Sequence, residues 1–403
     1  MSDISANVGT SANVVAPKLA RARKPRLFYL DWIRAIAAIL IVVTHFNNPY
    51  LEPTRFFVNR PFGIYIGGLG VSLFLIISGA ALMYNYGDRE SLDLRTFYTK
   101  RAKTLYPMFW VAFVVANILL FIRNNGYIFI PRHRITAIFS LFGMDGYAAA
   151  FGVGTFYTLG EWFLGFIILF YIVFPLLRVG INKMPIVTVC VVLALYVATV
   201  VFFKFYQIPR VPSDILLTTR LPELVFGMIF VKFIKKVPSW LAAVSFVILA
   251  AQQLTHVLQG NIAVTIVGIL AFLLLSYIGE IVKSFKPLSS YTKFISAYSY
   301  PIFLVHHVLI MQVFTVIYPV WLNRWQAYGL LIAEFAVILV LSVILKRFTN
   351  LIVGFVSKCC VKSGSNNRND KAVADRNNSA VTESNNSAVT ERNDNNSTNH
   401  SLD

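Results

Sequence analysis

Residues 28–47 read FYLDWIRAIAAILIVVTHFN, and this stretch decides the fold. A run of about 20 mostly apolar residues crosses the hydrocarbon layer of a bilayer as one helix. The run nevertheless keeps Asp31, Arg34 and His45. Ionisable groups at membrane depth cost about 2.5–3.5 kcal/mol even on the lenient scale, so they are retained mostly for a purpose. The remainder of the chain has the same character: 57% of its 403 residues are hydrophobic, 13% are charged, and the mean hydropathy is +0.65. A soluble globular chain carries about 25% charged residues, and that class is excluded.

Windows of span length outward from this stretch predict further segments, roughly at 63–86, 104–122, 161–177, 185–203, 216–234, 240–257, 262–282, 294–317 and 328–346. With 28–47 this makes an all-α, polytopic membrane helix bundle of about ten transmembrane helices. An even number places both termini on one side. The segments before the first span and after each even-numbered one hold 22 Lys and Arg, from Lys18 to Lys362, whereas the opposite set holds 8, from Arg55 to Arg324. The positive-inside bias therefore predicts cytoplasmic N- and C-termini.

The net charge of +18 would suggest a nucleic-acid partner in a soluble protein. Here the cations form short clusters between apolar runs, so they read as topology signals and no nucleic acid is expected. Cys190, Cys359 and Cys360 show no CxxC or His-paired spacing, and no metal ligands are expected. Three regions follow: a basic cytoplasmic leader at 1–26, the membrane domain at 27–350, and a juxtamembrane segment with an Asn/Ser-rich tail at 351–403. The leader lacks a small-residue cleavage site, so no cleavable signal peptide is expected. The tail repeats NNSAVTE at 377–383 and 385–391 and is expected to be disordered. Residues 123–160, glycine-rich around Ile138 to Met144, fit either a cap over a site or an ordinary loop.

The polar residues inside the spans are the functional candidates. Arg34 and His45 stand eleven residues apart, within roughly 20° of one helix face and about 16 Å along the axis. One face thus carries a cation near the basic end and an imidazole, the side chain best suited to proton transfer near neutral pH, near the other. Asp31 and Arg34 can equally pair at i, i+3 as an interfacial anchor. Gly63, Gly67, Gly68, Gly70 and Ser78-Gly79 allow close helix approach. Lys100, Arg101 and Lys103 precede a helix expected to open at Thr104 with Pro107 in its first turn; such a cluster attracts a polyphosphate or simply marks topology. Arg220 and Glu223 can neutralise each other at i, i+3. Of His306 and His307, about 100° apart, only one can face a given cavity. Glu161, Glu280 and Glu334 are acidic candidates without an assignable partner.

Together these residues resemble the integral-membrane acyltransferase 3 family. LDWIRAIAAILIVVTHF is similar to its first-helix pattern, with Arg34 and His45 at the matching spacing. GVSLFLIISGAAL resembles its second helix, with Ser78-Gly79. EWFLGFIILFYIVFPLL, RLPELVFGMIF and SYPIFLVHHVLI are similar to later segments through Trp162, Tyr171 and Pro175; Arg220, Glu223 and Gly227; and Tyr300, Leu304 and His306. The likeness runs from about residue 27 to about 350. Thr104 stands where a second Arg usually follows Arg101, and Ile167 and Ile168 occupy the stretch where many members carry a Glu, which marks a divergent branch.

The resemblance implies a cell (plasma) membrane setting and transfer of an acyl group, usually acetyl, from cytoplasmic acyl-CoA as donor substrate to a carbohydrate hydroxyl outside, with no bound cofactor. His45 and Arg34 are then the catalytic candidates. Lys100, Arg101, Lys103, Ser78, Trp162, Arg220, Glu223, Tyr300 and His306 are the substrate-binding ones. A transporter or lipid-linked sugar flippase, and a non-catalytic export partner in polysaccharide assembly, are the alternatives, since intramembrane charges also mark substrate paths.

Overall fold

Lipid offers the backbone no hydrogen-bond partner, so a chain this apolar must satisfy its peptide groups within helices. In a computed structural model describing residues 24–47, 59–126, 134–155, 159, 161–318 and 321–358, no described residue is in a strand. The helices are α1 (Phe28–Phe46), α2 (Ile66–Tyr86), α3 (Leu94–Arg123), α4 (Ala137–Leu141), α5 (Asp145–Ala150) and α6 (Trp162–Lys183). They continue with α7 (Pro185–Phe205), α8 (Leu217–Ile229), α9 (Ser239–Thr255), α10 (Gly260–Val282), α11 (Lys286–Phe314) and α12 (Arg324–Lys358). Eight are long and apolar enough to cross a membrane; α9, at 17 residues, is a shorter apolar helix. The 13 residues of α8 run on through a π-helical turn, Phe230–Ile234. Each expected span coincides with one of these helices. The leader 1–23 and the tail from 359 lie outside the described residues.

α2 is the centre. Its most apolar 18-residue window is 78% buried, against 11% for α7 and 17% for α12, which face outward. Its main neighbours are α8, α1 and α10. Glycines set the α2–α8 approach: a Cβ added to Gly79 would lie 2.0 Å from the carbonyl oxygen of Leu224, and one added to Gly227 would lie 2.0 Å from that of Ile76. Small residues at a crossing let membrane helices gain van der Waals contact that lipid cannot replace. α1 packs chiefly against α11 and α2, with Ala35, Ala38, Val42 and Phe46 meeting Ile302, Ile310 and Phe314. These three helices and α6 frame the site.

The start of α3 differs from expectation. It begins at Leu94, because the Asp93 carboxylate accepts hydrogen bonds from the N–H groups of Arg95 and Thr96 and caps the helix there. Lys100, Arg101 and Lys103 are therefore well inside the helix, Pro107 is in its interior, and no helix N-terminus is available to them. The 134–155 segment lies beside α6, where Tyr147 meets Gly165. None of the residues 134–155 lines the cavities described next.

Candidate active site

Asp31 is buried near the basic end of α1 and holds several partners. It accepts both an Nε–H and an Nη2–H contact from Arg26, the latter at 2.8 Å, and a 2.7 Å hydrogen bond from the Ser296 hydroxyl of α11. Arg34 Nη1 lies 3.4 Å from Asp31 Oδ1 and 3.3 Å from Ser296 Oγ. One edge of the Arg34 guanidinium is thus fixed to α11, and the group lines a cavity of about 290 Å³. Ser78, Arg101, Tyr171, Tyr300 and Phe303 share that wall.

The three-cation cluster separates here. Arg101 is half-buried, donates a 3.2 Å hydrogen bond to the Tyr86 hydroxyl, and lies within 5.9 Å of the ring centres of Tyr86, Phe97 and Tyr171. Lys100 and Lys103 are exposed and are not part of the cavity wall. A helix turns by about 100° per residue, so neighbours in sequence cannot all face one space. Ser78 and Tyr300 do line the cavity, but their hydroxyls donate to the carbonyls of Phe74 and Leu105.

Further along α1, His45 opens into a second cavity of about 230 Å³. Tyr65, Glu161, Trp162, Asp214, Arg220 and Asn261 contribute to its lining. Phe74, Phe163 and Phe303 belong to both cavities; Phe163 stands 5.8 Å from Phe74 and 5.9 Å from Phe303, ring centre to ring centre. The two spaces are stacked along α1 with an aromatic constriction between them.

His45 is surrounded by imidazoles: its ring centre is 4.9 Å from those of both His306 and His307. His306 is fully buried, and its Nδ1 lies 3.1 and 2.8 Å from the carbonyls of Ile302 and Phe303. Carbonyls only accept, so this nitrogen carries the proton. His306 supports the His45 ring and does not itself line either cavity. His307 instead lies 2.8 Å from Glu161, just ahead of α6. Glu161 has acquired the partner that sequence could not assign, 146 positions further along the chain. Nothing in the local pattern announces that contact; the adjacency of Glu161 to Trp162 was the available signal.

Arg220 and Glu223 neutralise each other as expected, 3.1 Å apart and nearly inaccessible. The Ser72 hydroxyl donates to Glu223 at 2.5 Å, while Arg220 also faces the His45 cavity. Glu223 therefore acts behind Arg220 and away from the open space. Trp162 packs edge-to-face with Phe163 and Phe166 and lines the same cavity. Asp214, Asn261 and Tyr65 were not singled out by the sequence, because loop and helix-end polar residues are ordinary at a membrane surface.

A membrane-embedded helical bundle with two adjacent cavities that carry ionisable groups, Arg34 and Arg101 in one and His45, Glu161 and Arg220 in the other, is the class this arrangement defines. The family model described as "Acyltransferase domain" matches residues 27–347, so the chain belongs to the acyltransferase 3 family. Among curated relatives, "Putative O-acetyltransferase SACOL0978" of Staphylococcus aureus (strain COL) is 31% identical over 115 residues, covering 27% of this chain and 17% of that protein. "Acyltransferase MdmB" of Streptomyces mycarofaciens is 28% identical over 105 residues, 25% of either chain. The matched stretches thus span a quarter or less of those relatives' lengths.

Proposed function

We propose that the protein is a membrane O-acyltransferase that carries an acyl group from cytoplasmic acyl-CoA to a hydroxyl of a cell-surface or secreted carbohydrate, with His45 as general base. The observation that carries this reading is the adjacency of the two cavities: the space lined by Arg34 and Arg101 and the space holding His45 share the wall formed by Phe74, Phe163 and Phe303. Family membership and the relative named as an O-acetyltransferase support acyl transfer, with acetyl as the group moved.

The donor enters from the basic end, with its phosphates at Arg101 and its pantetheine arm passing Arg34. Arg34 stands about 16 Å along α1 from His45, too far to stabilise charge at the reacting carbonyl, so it holds the arm. His45 takes the proton of an acceptor hydroxyl presented on the opposite side. The hydroxyl oxygen then attacks the thioester carbonyl carbon, the C–S bond breaks, and the departing CoA thiolate receives the proton. Arg220, the cation sharing the His45 cavity, stabilises the oxyanion. Trp162, Tyr65, Asp214 and Asn261 give the aromatic face and polar edges that a sugar ring requires. The His307 ring, 4.9 Å from that of His45 and held by Glu161, orients His45 from the side.

The test is thiol release from acyl-CoA by the purified protein in lipid, with and without acceptor glycan, paired with the ester content of surface glycans in cells lacking the protein. An acyltransferase gives acceptor-dependent thiol release and its loss removes ester. A flippase gives neither.

A further inference from the structure

The sequence contains no recognisable metal motif, yet folding brings three donors together from separate elements. His45 comes from α1, Glu161 from the residue ahead of α6, and His307 from α11; one ligand atom from each lies within 4.8 Å of the others. Glu161 and His307 are already at 2.8 Å. We propose that His45, Glu161 and His307 form a binding site for a divalent transition-metal ion of the Zn²⁺ class, and that the bound ion closes the enzyme. The second statement rests on the general-base role given to His45; the first does not.

The donor chemistry carries the first part. Two imidazoles and one carboxylate are a borderline-soft set that suits Zn²⁺, with nitrogen and oxygen ligands at about 2.0–2.2 Å and a fourth position left open. Two donors on one tetrahedral ion stand about 3.3 Å apart at those lengths. The Glu161–His307 contact, at 2.8 Å, is within about 0.5 Å of that spacing, and the ligand atoms all lie within 4.8 Å of one another, so small side-chain shifts bring the three around an ion. His45 and Glu161 line the second cavity, which supplies both the route in and the vacant fourth position. His306 is not a ligand: its Nδ1 is committed to backbone carbonyls and its Nε2 is sealed from solvent.

The closing effect follows from electron bookkeeping at one atom. The imidazole lone pair that would accept the hydroxyl proton is the one donated to the metal. No bond in substrate changes; the ion competes with a proton for the same nitrogen.

The experiment uses the full chain, purified in detergent after chelator treatment and exposed to ZnCl₂, with Co²⁺ as a spectroscopic stand-in. The expected result is one zinc retained per chain after desalting and a tetrahedral-type visible Co²⁺ spectrum. Glu161→Gln and His307→Gln, checked for monodisperse behaviour, bind at least tenfold more weakly, and thiol release falls in step with occupancy and returns with chelator. Retention of zinc no greater in wild type than in the two variants overturns the site. Full occupancy with undiminished thiol release overturns the closing effect. Specific zinc binding by a protein that releases no thiol when metal-free upholds the site and overturns the acyltransferase reading instead.

Discussion

Gly79 of α2 and Gly227 of α8 each face the backbone of the opposite helix at their crossing: the space a Cβ would need is taken by the carbonyl oxygen of Leu224 at Gly79 and of Ile76 at Gly227. Neither obstacle is the end of a flexible side chain, so a substitution must push the helices apart. That crossing holds the buried Ser72–Glu223–Arg220 contact and, through Arg220, one wall of the His45 cavity.

Gly79→Ala and Gly227→Ala are each expected to destabilise the bundle by about 1–3 kcal/mol, the range for overpacking a filled interior. Thermal unfolding of the purified variants checks this. Gly154, whose added Cβ would meet nothing within 4 Å, is the control position and Gly154→Ala should unfold like wild type.

Arg220→Leu strands Glu223 inside the bundle, where breaking a buried pair costs about 3–5 kcal/mol. Replacing both partners removes the orphaned charge. The double variant Arg220→Leu/Glu223→Leu is therefore expected to melt above Arg220→Leu alone, and a lower melting point would show that the two groups do not act as a pair.

Much of this was legible in the sequence because lipid imposes a length and a hydropathy on every span. Ten apolar runs gave ten helices in the right order, and the Arg34–His45 face was readable from helical periodicity alone. What failed was the start of α3, placed ten residues late because apolarity was followed and the cap at Asp93 was not. What could not be read was which side chains meet across helices. Arg101 faces the cavity while Lys100 and Lys103 do not, and Glu161 finds His307, because crossing angles and rotations belong to the packing of the whole bundle.

Arg101→Ala is expected to raise the KM for acyl-CoA by tenfold or more, as loss of a charged hydrogen bond worth about 1.5–3 kcal/mol implies. Lys100→Ala and Lys103→Ala should leave KM within about twofold, since surface charges away from the site contribute little. Steady-state kinetics on the three variants separates a cavity-lining cation from a topology signal.

The Asp93 carboxyl is held below its ordinary pKa, first by the Thr96 hydroxyl and then by the Thr96 and Arg95 backbone N–H groups. A depressed carboxylate stabilises the helix start above its unfolded pKa of about 4 and loses that effect as pH falls through the lower folded value. Amide exchange in the first turn of α3 should therefore stay protected at pH 5 and loosen on acidification toward pH 3, after correction for intrinsic exchange. In Asp93→Ala the same amides should exchange quickly at both.

The central claim is that His45 receives the acceptor's proton. The direct measurement is acceptor-dependent thiol release from acyl-CoA by His45→Ala in lipid, against wild type of equal monodispersity. A general base supplies about 10²–10⁴ in rate, so the account predicts a fall of at least a hundredfold with the protein still folded. A variant that retains wild-type turnover would contradict it.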